Sequence, residues 1–218
     1  MTCPICHIRK EKRFCLALHD RICPQCCGEQ REITLECPSE CPYLQQARQH
    51  EKPRDFGGKL PEEMFPSVEI TQDFLHRNEP LIGGLLQTLL RLAVADRQLI
   101  DRELLGALTA MARSYQTLVS SGLVYQEASA NPAQLAIIDV FRRSIDEFRA
   151  VEQQHLGYTA LRDSDVLKGL VFIIRLATLH TSGRPLSRAF IDGLQEHFPQ
   201  AGAAGEANAA TGSRIILP

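Results

Sequence analysis

The residues of this chain that could do chemistry by type and spacing are its eight cysteines, all of which fall within the first 41 residues. Most of them come in pairs separated by two or three residues. Two thiolates at that spacing can grip one ion from a single turn of chain, and Zn²⁺ takes four such ligands in a tetrahedron. The pattern therefore predicts zinc binding, and the predicted ligands are Cys3, Cys6, Cys15, Cys23, Cys26, Cys27, Cys37 and Cys41.

Eight thiolates are enough to close two structural zinc sites, whereas a catalytic zinc keeps an open position. We predict two Zn²⁺ ions in interleaved sites. The spacing allows several ways of dividing the eight cysteines between the two ions, and we predict one of them. His19 lies four residues after Cys15 and is a possible substitute ligand, because histidine often fills such sites. The predicted sets are Cys3, Cys6, Cys23 and Cys26 for one ion, and Cys15, Cys27, Cys37 and Cys41 for the other.

The main alternative to metal binding is a set of disulfides. The chain opens with charges and cysteines where a signal peptide needs an apolar run, and no stretch approaches the ~18 apolar residues of a membrane span. We therefore expect a cytoplasmic protein, in which thiols stay reduced and metal is favoured over disulfides. An iron–sulfur cluster is a weaker alternative, because its usual compact cysteine spacing is absent.

Local patterns predict how the later cysteines are held. Residues 31–36 have the alternating, β-branched character of a short strand. Ser39 is predicted to cap a helix that runs to about His50, which places Cys41 in the first turn, where a helix N-terminus favours thiolate charge. A knuckle at the middle cysteines, the strand and the helix together predict a treble-clef or cross-brace-like module.

Residues 3–41 resemble the cross-braced two-zinc fingers of the MYND and HIT type. They also resemble the cysteine-rich openings of uncharacterised bacterial proteins that begin with a zinc finger. The chain departs from the MYND and HIT pattern in two places, since Cys37-x3-Cys41 replaces the final His-x3-Cys and the middle pair lacks a member. The resemblance implies structural zinc and says little about the partner, although the MYND and HIT fingers are small modules that bind proteins.

Apolar residues recur at helical spacing from about residue 68 to residue 198. Asn131 and Pro132 have the types expected of the N-cap and first residue of the third helix. Short helices are expected at the ends, so the sequence predicts a mainly α protein in which an α-helical bundle follows the small zinc-bound module. The four apolar stripes lie in residues 82–93, 104–118, 135–148 and 167–177.

The chain therefore divides into four predicted stretches. The linker is marked by prolines and a glycine pair, and the tail by alanine and glycine with few large side chains. The tail ends in Arg214–Pro218, which is either a binding motif that adds to a sheet edge or a frayed terminus. The stretches are a cysteine-rich zinc-binding module at 1–52, a linker at 53–67, a helical bundle at 68–198 and a flexible tail at 199–218.

A short similarity links residues 91–102 to residues 175–188, where a helix ends, a loop passes and another helix begins. Asp101 and Ser187 occupy the position of the N-cap in the two copies. The similarity predicts two helical hairpins that pack face to face, although amphipathic helices share such patterns by chance about as often.

Catalytic machinery is not indicated by the sequence. The histidines of the helical region lack a partnered nucleophile at motif spacing, and Asp96, Asp101 and Glu103 are better explained as caps and solvated charges. We predict that the protein is not an enzyme. The predicted function is that of a zinc-binding adaptor that contacts a protein partner or a second copy of itself.

Nucleic-acid binding is the alternative function. Residues 7–13 form a basic loop, and Arg48, Lys52 and Arg54 add further cations. The net charge of the whole chain is -2, so any attraction to a polyanion must be local, and a membrane partner is not expected.

Overall fold

The computed structural model describes residues 1–51, 65–124 and 131–198. The structure is 63% helical, with one two-stranded sheet in the described part, so the predicted mainly α fold class is confirmed. The strands are β1 (Arg13–Cys15) and β2 (Asp20–Ile22). The helices are α1 (Pro24–Gln30), α2 (Pro42–His50), α3 (Gln72–Arg77), α4 (Glu79–Ala95), α5 (Asp101–Ser121), α6 (Pro132–Leu156), α7 (Asp163–His180) and α8 (Ala189–His197).

The first 51 residues contain the hairpin and two short helices. Strands β1 and β2 pair antiparallel, with Phe14 opposite Arg21. The prediction of a strand at residues 31–36 is wrong, because this segment is a turn at the end of α1. The carbonyl of Gln30 accepts the N–H groups of residues 33, 34 and 35, which closes the backbone on itself instead of leaving it extended.

Helix α2 ends at His50 as predicted, but its start differs from the prediction. Cys41, not Ser39, is the N-cap residue, and Pro42 is the first helical residue. The Ser39 hydroxyl instead donates a hydrogen bond to Asp192 of α8, 2.8 Å away. A distant carboxylate thus competes successfully with the local backbone for this hydroxyl.

Helices α4 to α7 coincide with the four predicted apolar stripes, which are therefore confirmed as amphipathic helices. Asn131 is the N-cap of α6, and its side-chain oxygen accepts the Ala133 N–H at 2.9 Å. Pro132 is the first helical residue, also as predicted. The core lies where α5 packs against α6 and α7, and its fully buried members include Leu104, Leu108, Phe141, Leu170 and Ile174.

The two loops of the predicted repeat do face each other, and both predicted caps act on α8. The Ser187 hydroxyl accepts the N–H of Ala189, the first residue of α8, at 3.1 Å. The Asp101 N–H donates to the Ser187 carbonyl, and the Ser187 hydroxyl donates to the Asp101 carboxylate. That carboxylate accepts the N–H groups of Phe190 and Ile191 at 3.2 and 3.3 Å, so it caps α8 rather than its own helix. Burial raises the pKa of Asp101, although these hydrogen bonds oppose the shift.

Several predictions fall on residues that are not described. Most of the predicted linker 53–67 and the whole of the predicted tail 199–218, including Arg214–Pro218, lie outside the described residues. The domain boundaries at 52, 67 and 198 therefore stay predictions. Of the helices described, none has the length and apolar character needed to cross a bilayer.

Candidate metal centre

Four cysteine sulfurs meet in the first part of the chain. All four lie within 4.8 Å of one another, and the Sγ atoms of Cys6 and Cys23 are 4.0 Å apart. These are the four cysteines that the sequence analysis assigned to the first ion. The structure therefore contains a cluster that could hold a metal ion, composed of Cys3, Cys6, Cys23 and Cys26.

The first pair of sulfurs is presented by a tight turn. An antiparallel bridge between Thr2 and Lys10 closes the ends of this turn. Inside it, the N–H of Cys3 donates to the carbonyl of Arg9, and the N–H of His7 donates to the carbonyl of Cys3, both at 2.8 Å. These bonds fold residues 3–6 so that both cysteine side chains reach the same point.

The second pair comes from the beginning of α1. Cys23 is the N-cap residue, and its sulfur accepts the N–H of Cys26 at 3.4 Å. The predicted knuckle at the middle cysteines is wrong, because Pro24–Gln30 is helical. Cys23 followed by Pro24 at the first helical position was the signal for a helix start.

Negative charge on the sulfurs of the cluster would be stabilised by a bound cation. Burial opposes the ionisation of Cys3, but surrounding backbone N–H groups lower its pKa to about 6. Backbone N–H groups after Cys6 also lower the pKa of that thiol. Burial and the neighbouring thiols raise the pKa of Cys26 to about 12. Four adjacent thiolates would repel one another strongly, and a bound divalent cation removes that repulsion.

Two arginines contact the sulfurs from outside. The Nη1 of Arg9 lies 3.9 Å from the Sγ of Cys23, and this contact raises the pKa of the guanidinium. The Nη1 of Arg13 lies 3.7 Å from the Sγ of Cys27, and its guanidinium lies over the ring of Tyr43 at 4.7 Å. Such outer contacts orient ligands and balance their charge. Sequence reasoning treated both residues only as part of a basic loop.

The other four cysteines are also drawn into the module. Cys15, Cys27 and Cys41 are buried and Cys37 is half-buried. Burial raises the pKa of Cys37, and the nearby charges of Cys41 and Cys15 act in the same direction. In the described residues these sulfurs are not part of the four-sulfur cluster, so their assignment to a second ion stays a prediction. His19, the possible substitute ligand, is exposed.

A buried ion network joins the cysteine-rich segment to the helical bundle. The guanidinium of Arg48 binds Glu32 at 2.8 Å and Asp192 of α8 at 2.7 Å. The carboxylate side chains are only 2% and 7% exposed, so both need a cationic partner. Asp192 has a second one, since the Nε of Arg188 lies 3.4 Å from its other oxygen. Burial tends to lower the pKa of Arg48, but the two carboxylates raise it overall. Arg48 is therefore engaged by two carboxylates inside the protein.

The loop between α7 and α8 adds backbone contacts to the same junction. The Leu186 N–H donates to the carbonyl of Glu32 at 2.9 Å, and the Ser182 hydroxyl donates to its carboxylate at 3.3 Å. The Arg184 guanidinium donates to the carbonyl of Arg31 at 2.8 Å. Glu32 has a φ of +52°, a left-handed backbone conformation that is unfavourable for its residue type. These contacts hold the turn after α1 in that conformation.

The acidic residues weighed as catalytic candidates have structural partners. Asp96 accepts the N–H of Gln98 at 2.8 Å, and Asp101 caps α8. Glu103 accepts hydrogen bonds from the side-chain amides of Asn131 and Gln134. Each carboxylate thus has a role in holding loops and helix ends.

Comparison of the chain with protein-family models, with curated proteins and with solved structures finds no match.

Proposed function

We propose that the protein is a non-catalytic adaptor whose N-terminal module is folded by two structural zinc ions. The proposed partner is another protein or a second copy of the chain. The observation that carries the proposal is the four-sulfur cluster of the N-terminal segment, which is built on a closed turn and a helix start. Both supports are rigid, so the sulfurs are gathered without a long mobile loop.

Zinc is the metal that fits this donor set best. Four thiolates and no oxygen ligand suit Zn²⁺ or an iron–sulfur centre, whereas Mg²⁺ and Ca²⁺ prefer oxygen. A tetrahedral Cys₄ zinc site is closed and structural, because no coordination position is left for a substrate. The absence of an open position in such a site supports a scaffolding role over catalysis.

A second zinc ion is supported by the order of the cysteines. The four-sulfur cluster skips Cys15, which lies between its two pairs in the chain, and leaves Cys37 and Cys41 beyond it. In the cross-braced fingers that residues 3–41 resemble, the ligands of the two ions alternate along the chain in this way. Arg13 contacts the sulfur of Cys27 much as Arg9 contacts that of Cys23. We therefore assign the second ion to Cys15, Cys27, Cys37 and Cys41.

The way in which the module is joined to the bundle supports the proposed adaptor role. Arg48 connects the turn after α1 to α8 through two buried carboxylates. On this proposal the zinc ions shape a surface that is held at a fixed orientation to the bundle. A partner would then recognise one combined surface, and removing metal would abolish recognition without changing the bundle.

Elemental analysis of protein purified without added metal tests the zinc assignment. We expect two zinc ions per wild-type chain and one in each of the variants Cys26→Ser and Cys37→Ser. Leu44→Ala is the matched control, because it removes a buried side chain of the module without removing a thiol and should keep two ions. One ion in the wild type, lost in Cys26→Ser and kept in Cys37→Ser, would contradict the second site alone.

The adaptor role is tested by association experiments on the full chain with and without chelator. Sedimentation velocity of the metal-loaded protein should give either a mass above the 24.3 kDa monomer or a monomer that captures a defined protein partner. Either association should be lost in Cys26→Ser. A monomer whose captured proteins do not depend on metal would contradict the proposal.

A further inference from the structure

The outer face of the N-terminal hairpin has a composition that the metal site does not explain. Exposure alternates along the extended segment that leads through β1. Lys10, Lys12 and Phe14 are exposed, whereas Arg13 is half-buried and Cys15 is buried against the module core. Because side chains of a strand alternate between its faces, the three exposed residues share the face that points away from the cysteines.

A third cation joins this face from the opposite strand. Arg21 is directly paired with Phe14 in the β1–β2 register, so both side chains lie on the same side of the hairpin. The Arg21 guanidinium donates to the carbonyl of Lys12 at 3.3 Å, which holds it beside the aromatic ring. Phe14 is 48% exposed, so part of its ring is open to a ligand. We call Lys10, Lys12, Phe14 and Arg21 the hairpin face.

The carboxylates of this segment do not neutralise the hairpin face. Glu11 is half-buried on the other side and lies 3.6 Å from the N-terminal ammonium. Asp20 is paired with Cys15 in the register and accepts the backbone N–H of Arg21 at 2.6 Å. The hairpin face thus carries three cations and no carboxylate of its own.

Charge is also segregated along the module. Residues 1–23 contain five Lys and Arg against two Asp and Glu, whereas residues 24–51 contain two against five. The chain as a whole has a net charge of -2, yet its first segment is locally basic. The sulfurs lie on the inner side, where Arg9 and Arg13 contact them, so much of the negative charge of a metal–thiolate centre is balanced away from the hairpin face.

We propose that the hairpin face binds single-stranded nucleic acid. Phe14 stacks on an unpaired base, and Lys10, Lys12 and Arg21 contact phosphates on either side of it. Alternate residues of a strand are about 6 to 7 Å apart, so the spacing of the cations suits an extended polyanion rather than a single anionic group. An aromatic side chain within a basic groove is the combination by which proteins hold single strands without sequence preference.

This occupant fits the face better than a duplex or an acidic peptide. Bases in a duplex are already stacked and offer no open ring surface to Phe14. An acidic peptide would engage the cations but offers no flat π-system for the exposed ring. The inference goes beyond the adaptor role and depends on it only through the folded module.

Fluorescence anisotropy on the metal-loaded full chain tests the inference. The probes are a labelled oligothymidine, a labelled duplex of equal length and labelled polyglutamate, each titrated over a series of salt concentrations. We expect the oligothymidine to bind most tightly. The logarithm of its binding constant should fall with log salt with a slope of about -0.7 for each phosphate contacted.

Variants separate stacking from charge. Phe14→Leu should weaken oligothymidine binding by about 5- to 150-fold, because stacking contributes about 1–3 kcal/mol per base, and Phe14→Tyr should retain it. Lys12→Glu should weaken binding and make the salt slope shallower. Tyr158→Leu and Arg91→Glu, at an exposed ring and an exposed cation of the bundle, are the matched controls and should bind like the wild type.

Zinc content measured on each variant shows that the module is intact. The inference is overturned if an intact wild type fails to bind oligothymidine at low salt, or if duplex or polyglutamate binds as tightly. It is also overturned if Phe14→Leu with full metal content binds like the wild type. None of these results bears on metal stoichiometry or on protein association, so the adaptor proposal would stand or fall separately.

Discussion

The two parts of the molecule bury very different kinds of core. In the described residues, the buried cluster of the N-terminal segment has seven members, of which five are cysteines and the others are Ile22 and Leu35. The buried cluster of the bundle has 27 members and no cysteine. Chains of about 50 residues bury a smaller share of their surface than larger domains do and are marginally stable, so a metal, a disulfide or a partner adds much to their stability. The comparison indicates that thiols replace apolar packing in the smaller part.

The junction between the two parts differs from both cores. It is held by ion pairs and backbone hydrogen bonds around Arg48, Glu32 and Asp192 rather than by a shared apolar core. Clefts of about 630 and 730 Å³ lie along this junction, and both are lined by Ser39. Polar junctions of this kind are typical between domains that keep separate cores. The two parts should therefore respond differently to perturbation.

The largest expected effect is that of metal removal. Structural zinc contributes about 10–16 kcal/mol to the folding of small modules, so chelation should unfold residues 1–51 and leave the bundle folded. Trypsin should then cut rapidly at exposed basic residues such as Lys10, Lys12 and Arg21, while a helical fragment persists. Equal protection of these sites with and without chelator would show that the small core needs no metal.

Truncation of the bundle core should destabilise the bundle and leave the metal-binding segment intact. Phe141 is fully buried, and Phe141→Ala should lower the free energy of unfolding of the bundle by about 3–5 kcal/mol. Denaturant unfolding followed by circular dichroism measures this loss. The zinc content should be unchanged, and a loss of metal in this variant would mean that the two cores are not separate.

Breaking the junction should have an intermediate effect. Arg48→Ala removes the cation that pairs with Glu32 and leaves Asp192 with Arg188 alone, which costs about 2 kcal/mol after allowance for the 20% exposure of the arginine. Hydrogen exchange should accelerate at the turn after α1 and at the start of α8, but not in the centre of α5.

Two further variants control for other losses at this junction. Arg143→Ala removes an exposed arginine of α6 and should leave the exchange unchanged. The double variant Arg48→Met, Glu32→Gln should recover part of the loss, because Glu32 no longer carries a buried charge and Asp192 keeps its ion pair with Arg188. Unaltered exchange in Arg48→Ala would contradict the role given to the ion network.

The smallest effect concerns Asp101 of α5, whose carboxylate caps α8. Burial raises the pKa of Asp101 above 3.8 in the folded protein, so the folded state holds this proton more tightly than the unfolded state. The contribution of Asp101 to stability is therefore largest at low pH and is lost as the pH rises through the raised pKa. Asp101→Asn should remove this decline, which the difference between the two denaturation curves across pH measures. A difference that does not vary with pH would contradict it.

Long periodic patterns could be predicted from the sequence, and so could the grouping of four cysteines into one cluster. The apolar stripes of α4 to α7 extend over many turns, so tertiary contacts reinforce the local preference. Asn131 and Pro132 are local signals for a helix start, and they were read correctly. Cys3, Cys6, Cys23 and Cys26 were grouped correctly because paired thiols at short spacing have few ways to share an ion.

The errors at Ser39 and at residues 31–36 fall where a distant residue competes with a local preference. Ser39 has the side chain of a helix cap, but Asp192 takes its hydroxyl. Residues 31–36 have strand character, but the buried contacts of Glu32 with Arg48 and Ser182 hold them as a turn. Such partners are up to about 150 residues away in the chain. No local pattern could reveal them.

The most direct test of the central claim is X-ray absorption at the zinc edge of protein purified without added metal. On our proposal every zinc ion has four sulfur neighbours at about 2.3 Å and no nitrogen or oxygen neighbour at about 2.0–2.1 Å. A nitrogen neighbour would place a histidine such as His19 among the ligands and revise the second site. No zinc, or zinc with mainly oxygen neighbours, would contradict the claim that the cysteines fold this module around metal.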